Sequence, residues 1–340
     1  MNRLILSDLH LTDNINDEYR WKIFDVLIYL CNKYNVYELI ILGDITEKKD
    51  THSSKLLHLM INHFIRLTDL CKVSSINILC GNHDYIDSNN PYFSFLNKID
   101  TFNCNIHFIY EPTKIEEDLY IPYYYTDFSE ISKKYSFCNN LFLHHSFNGI
   151  MLRNGSYEDK GNDSNNLTNI KFNNCYSGHI HFQQTYKNIE YIGSPYAIKF
   201  GDNNKGRVLL LKDNKKEYID LPRFINKVDV KLTNPEEIRT YDILEQDQVK
   251  VEINLTLQNC HEYEDIVRYI KKYIEEKGAI LSSIQGKLLQ DVNITNTIVN
   301  TVGKLDSSEI IKRFCHNKQL PNNYLFTANN ALNGFTYSEN

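Results

Sequence analysis

Five short apolar runs in this chain each break off into residues that carry protons or bind metals, and that recurrence constrains the fold more than any other feature. "LIL" leads into Ser7-Asp8-Leu9-His10, "LIIL" into Gly43-Asp44, "INILC" into Gly81-Asn82-His83-Asp84, "NLFL" into His144-His145, and "CYS" into Gly178-His179-Ile180-His181. Short apolar runs closed by Gly, Asn and Asp are the pattern of buried strands whose loops gather at one end of a sheet. Between the first two runs, "EYRWKIFDVLIYLCNKYN" places Trp21, Phe24, Ile28 and Cys31 at helical spacing; between the second and third, "THSSKLLHLMINHFIRLTDL" does the same through Leu56, Leu59, Ile61, Phe64 and Leu67. Strand, helix, strand, helix, strand is an α/β pattern.

At 340 residues the chain is too long for one ordinary core. After Leu221-Pro222 the texture changes, and "VKVEINLTL" followed by "EYEDIVRYIKKYIEEKG" reads as a strand and a helix of a small second domain. The expected division is therefore 1–222, 223–290 and a weakly packed tail, 291–340. A net charge of -6 excludes a protein that coats nucleic acid by bulk charge alone, so an anionic substrate must be attracted locally. The eight cysteines form no C-x-x-C pair and read as buried thiols of a reducing compartment. The first apolar run is too short for a secretory or spanning segment, and the expectation is a soluble cytoplasmic protein with no membrane association.

Taken singly, each polar strand end is ordinary, since Gly-Asn-His-Asp is good turn material and a histidine beside an apolar run is usually a hydrogen-bonded structural residue. Taken together, five such ends form a set of carboxylates, imidazoles and one amide, which suits manganese, zinc or iron better than a thiolate-seeking metal. Two divalent ions about 3.5 to 4 Å apart clamp a phosphate and lower the pKa of a water between them. His52, His58 and His63 lie on or near the second helix and read as surface or packing residues.

In order, D-x-H, G-D, G-N-H-D, a strand-end His and G-H-x-H resemble the signature of the calcineurin-like metallophosphoesterases over roughly Met1 to Gly206. Within that superfamily the chain resembles the SbcD-type DNA-repair nucleases. "SDLHL" resembles their opening motif, "YIPYYY" a mid-domain strand, and "YIGSPYAIKFGDNNKGRVLLL" the segment that closes their phosphoesterase fold. The resemblance implies a four-layer α/β/β/α sandwich with a small α+β capping domain and a C-terminal helical tail.

It also implies two divalent metals, with Mn2+ expected. One is held by Asp8, His10, Asp44 and His181, the other by Asp44, Asn82, His144 and His179, with Asp44 bridging. His144 is placed as the ligand by its distance from Asn148-Gly149, and His145 is the alternative. His83 matches the catalytic histidine that protonates the leaving 3′ oxygen, with Asp84 orienting its ring. Glu47 stands where the family commonly has Asp or His, as a residue that positions substrate. The implied activity is that of a DNA nuclease subunit, a 3′-5′ exonuclease on duplex DNA and a single-strand endonuclease. The implied partners are DNA, an SMC-like ATPase of SbcC type docked through the tail, and a second copy of the chain. A small-molecule phosphodiesterase or phosphoprotein phosphatase would carry the same ligands, so the alternative turns on the C-terminal third.

Overall fold

The computed structural model describes residues 1–98, 103–153, 155–202, 205–212, 215–256 and 262–288, and the expected partner-binding tail, 291–340, lies outside them. Contacts divide the chain into two compact units, Met1–Ile253 with Asp265–Gln285, and Asn254–Glu264 with Gly286–Asn340. Every motif residue belongs to the first. In the second, Gly286 sits so close to Leu255 and Tyr263 that a β-carbon would come within 2.8 Å of each side chain.

In chain order the strands are Asn2–Leu6 (β1), Val36–Ile41 (β2), Ser75–Leu79 (β3), Tyr85–Asp87 (β4), Asn90–Pro91 (β5), Asn105–Ile109 (β6), Thr113–Ile115 (β7), Asp118–Ile121 (β8), Phe137–Leu143 (β9) and Lys171–Ser177 (β10). There follow Gln184–Tyr186 (β11), Ile189–Tyr191 (β12), Arg207–Lys212 (β13), Lys215–Asp220 (β14), Lys227–Leu232 (β15), Gln248–Leu255 (β16) and Ile280–Leu288 (β17). The α-helices are Ile23–Tyr34 (α1), Ser54–Leu70 (α2), Phe128–Lys134 (α3) and Tyr263–Glu276 (α4). The fold is mixed α/β. One six-stranded sheet runs β14-β13-β1-β2-β3-β6 and another β11-β12-β10-β9-β8-β7, with a three-stranded sheet β15-β16-β17 and a small hairpin of β4 and β5. The central pairs are parallel, β1 with β2, β2 with β3, β8 with β9 and β9 with β10. Among the described residues no helix is long and apolar enough to cross a membrane.

Each of the five apolar runs is a strand, and their unbroken hydrophobicity follows from burial on both faces. Leu4 and Leu6 of β1 pack with Phe24, Leu27, Leu56 and Phe64 of α1 and α2, whereas Ile5 between them joins Ile40, Leu79, Phe142 and Tyr176 in a layer drawn from both large sheets. On its other face the second sheet lays Leu141, Leu143 and Cys175 against Phe128 and Ile131 of α3. The helix α2 begins where the sequence places it, because Ser53 caps it by accepting from the Leu56 amide at 3.1 Å.

One local expectation changes. The segment expected as the start of the first helix forms a 3-10 turn, Ile15–Lys22, and α1 begins only at Ile23. Tyr19, Arg20 and Trp21 are consecutive and all buried, and each bonds a carbonyl of a different segment: Tyr19 to Ala197, Arg20 to His10 and Ile198, Trp21 to Thr12. These tertiary bonds override the helical period. The six described cysteines at 31, 71, 80, 104, 138 and 175 are free. His63 stacks on Trp21 and Phe24, His52 on Tyr92, and His58 bonds Asn62, all packing roles.

Candidate metal centre

The polar strand ends meet where β1, β2 and β3 of one sheet and β9 and β10 of the other terminate. Three groups of side chains bring their donor atoms within 4.8 Å of one another: Asp8, His10 and His181; His10, Asp44 and His83; and Asp44, His144 and His179. Asp44 belongs to two of them. Its Oδ2 lies 3.5 Å from His10 Nε2 and its Oδ1 3.4 Å from His144 Nε2. Asn82 joins the third group through Oδ1, 2.8 Å from His179 Nδ1 and 3.3 Å from His144 Nε2.

The backbone is bent to achieve this. Asp8, His10, Asp44 and His179 have φ of 54°, 44°, 53° and 79°, a left-handed region that non-glycine residues seldom occupy. Such conformations cost about 1–3 kcal/mol each and cluster where function demands them. Gly81 is required for another reason: a β-carbon there would press on Asp44 Oδ1 and lie 2.8 Å from His144 Cε1.

Each ligand-type side chain is oriented by a partner behind it. The His144 ring bonds the Leu42 carbonyl through Nδ1 at 2.6 Å, which turns Nε2 toward Asp44. Asp8 accepts from Ser7 Oγ at 2.5 Å and from the His179 amide at 3.1 Å. His181 Nδ1 faces Asp202 Oδ2 at 3.6 Å. The Glu47 carboxylate lies 3.4 Å from His10 Nδ1 and accepts from Arg20 at 3.1 Å. Burial alone would raise the Glu47 pKa, but His10 and Arg20 outweigh it and hold the carboxyl down to about 2. Glu47 therefore props His10 and points into the cluster's flank.

Protonation follows from crowding. Burial would lower the His144 pKa, yet Asp44 beside it raises it to about 9. Burial together with His144 pushes His179 down to about 3. A buried carboxylate that holds His144 protonated, beside a His179 forced neutral, is the electrostatics of a site in which an incoming cation displaces a proton. The donor set fits a divalent cation on a further observation: both ring nitrogens of buried His10 lack a hydrogen-bond partner.

One expectation is corrected, and the alternative to His144 is set aside. Asp84 does not steady the His83 ring: its Oδ2 accepts from the amides of Asp44 and Gly81 at 2.7 and 2.8 Å and its Oδ1 from Ile45 at 2.9 Å. Its carboxylate is thus spent on pinning two ligand loops together, and burial with Asp44 nearby raises its pKa to about 7. His83 is oriented instead by the Glu47 backbone carbonyl, which contacts its Nδ1. His145, the alternative to His144, is fully buried but turned away: its amide bonds Ser177, its Nδ1 lies 3.3 Å from Asn162, and it belongs to none of the three donor groups.

Three residues escaped the sequence reading. Arg20 and Asp202 act through His10 and His181, and Tyr123 sets its ring 5.5 Å from that of His179. A charged residue inside the apolar face of "YRWKIF" was the only local sign of Arg20, and "FGD" follows no apolar strand. Against family models and curated proteins the chain finds no match.

Proposed function

We propose that the chain is a metal-dependent phosphodiesterase, the nuclease subunit of an SbcCD-like complex acting on DNA. The observation that carries the reading is the convergence of seven donors, Asp8, His10, Asp44, Asn82, His144, His179 and His181, around a carboxylate shared between two groups, with a further histidine, His83, edge-on to His10 at 4.8 Å. Two facing sheets with helices packed on their outer sides support the four-layer arrangement of that superfamily.

Asp8, His10, Asp44 and His181 would hold one divalent ion, and Asp44, Asn82, His144 and His179 the other, Mn2+ by the borderline softness of the donors. Bound there, the ions supply Lewis acidity that activates water and neutralises phosphate oxygens. The chain's own part is positioning and proton transfer. With Nδ1–H bonded to the Glu47 carbonyl, His83 has Nε2 as its remaining protonation site, and a proton held there passes to the leaving 3′ oxygen. Burial lowers the His83 pKa, so a proton held there is readily given up.

The test is incubation of the full chain with Mn2+ and end-labelled duplex, hairpin and single-stranded DNA, with and without the cognate ATPase. Release of mononucleotides is the expected result. Hydrolysis of small esters alone transfers the reading to a small-molecule phosphodiesterase or phosphatase, and hydrolysis of neither removes it. The SMC-like partner and the second copy of the chain are tested by capture with the tail, 291–340, as bait and by sedimentation.

A further inference from the structure

Beside the metal centre the first unit carries a groove of about 600 Å³ that the resemblance did not point to. It shares His181 and Asp202 with the centre, and its further lining sets three cations, Arg153, Lys205 and Arg207, and apolar side chains such as Phe182 beside Gln183 and one more carboxylate, Asp220. One carboxylate joins the two: Asp202 presents Oδ2 to His181 Nδ1 and Oδ1 to Arg153 Nη1, both at 3.6 Å. The groove therefore opens at the His181 end of the cluster.

The cations are differently engaged. Lys205 pairs with Asp220 at 2.5 Å and is largely exposed. Arg207 lies over the Tyr218 ring, its Cζ 5.0 Å from the centroid, with Nε on Gln183, and meets no carboxylate among the described residues. Its two terminal nitrogens are left as a preoriented fork, the geometry that recognises a phosphate through paired hydrogen bonds. Opposite this charge, Met151, which is 43% exposed, and Phe182 offer the apolar surface on which a base or sugar lies.

We infer that this groove seats the nucleotide adjoining the scissile phosphodiester of single-stranded DNA, with Arg207 and Arg153 on its phosphate and Phe182 and Met151 against its base. The assignment rests on the phosphodiesterase reading above, and it adds that the enzyme grips nucleic acid through the neighbouring unit and not through the scissile group alone.

The test separates the two claims by measuring binding without metal. The full chain in EDTA is titrated into a fluorescein-labelled oligothymidylate and anisotropy is followed over a range of salt. Arg207→Gln is expected to weaken binding about tenfold, as loss of a charge-assisted pair does, and to shrink the slope of log Kd on log salt by about 0.7, one phosphate contact on a single strand. Arg268→Gln, on the exposed face of α4 where Arg268 pairs with Asp265, is the control and leaves both unchanged. With Mn2+ added, hydrolysis of bis(p-nitrophenyl) phosphate, an ester with no adjoining nucleotide, by the wild-type chain is the separate readout of the phosphodiesterase reading. Wild-type and Arg207→Gln proteins of equal affinity and slope, or a wild type that does not bind the oligonucleotide, overturn the groove assignment while leaving small-ester hydrolysis standing. Binding that depends on Arg207 in a protein without hydrolytic activity keeps the groove and removes the phosphodiesterase.

Discussion

His83 and Asp84 are neighbours in sequence and do unrelated work. The ring of His83 is held by a backbone carbonyl, so replacing it takes away a proton carrier and leaves the donors around it in place. His83→Ala is expected to retain its full Mn2+ content by elemental analysis while DNA hydrolysis falls by about 10²–10⁴-fold, the range of a lost general acid. Loss of metal in that variant would instead make His83 a ligand, as its place with His10 and Asp44 allows. Asp84→Asn is expected to act on stability. Its two oxygens receive three backbone N–H groups, and an amide would turn its own donors toward two of those loops. The expected cost is about 1–3 kcal/mol in urea unfolding of the metal-free protein. An Asp84→Asn protein as stable as wild type, with only a displaced pH profile, would restore the ring-orienting role.

Strand ends are the elements that carry the centre, and their contribution is rigid placement. At the exit of β3, Gly81 is wedged between Asp44 and His144, so Gly81→Ala is expected to fold yet bind Mn2+ at least tenfold more weakly by calorimetry, since even a small displacement of ligands is costly. At the exit of β9, His144 gives the metal affinity its pH dependence. Its pKa is raised to about 9, so below that pH its proton must leave before Nε2 binds a metal. His179, held near 3, contributes no proton in this range. Burial would lower His181, yet Asp202 beside it raises its pKa, so Mn2+ affinity is expected to rise at least about tenfold per pH unit from 7 toward 9, with at least about one proton released, read by calorimetry in buffers of different ionisation enthalpy. Affinity independent of pH would remove His144 from the ligands. These elements were legible in the sequence because residue type and strand termination are both local: "LIIL" followed by Gly43-Asp44 states where the strand stops and what stands there. The role of Asp84 was not legible, because its bonds run to Asp44 and Ile45 across about forty residues. Nor was the 3-10 turn before α1, which is set by carbonyls of Thr12, His10, Ala197 and Ile198.

For the molecule as a whole, the change of texture at Leu221-Pro222 suggested a point at which the chain might be cut, and the contacts of the first unit argue against it. Beyond that point Lys227 Nζ reaches Asp17 at 2.8 Å with both side chains nine-tenths buried or nearly so, Gln248 donates to the Asn16 carbonyl, and the Lys227 carbonyl accepts from the Gly201 amide at 2.9 Å. Phe224 stacks edge-on against Tyr196, whose hydroxyl bonds the Leu9 carbonyl between Asp8 and His10. The segment after 222 thus braces the 3-10 turn and the Gly201–Asp202 loop, which in turn brace His10 and His181. Losing Lys227 leaves buried Asp17 with Arg20 alone, at 3.4 Å, and breaking that buried pair together with the bonds just named costs about 3–5 kcal/mol, a large share of what holds a domain together. A chain ending at Leu221 is therefore expected to lose stability of at least that size in urea unfolding and to lose small-ester hydrolysis together with DNA hydrolysis. Asp17→Asn combined with Lys227→Met in the full chain, which removes the ion pair but keeps the packing, is expected to recover most of both. A truncated chain with wild-type stability and small-ester activity would show that the metal centre stands without this brace, and that the segment after 222 serves DNA alone.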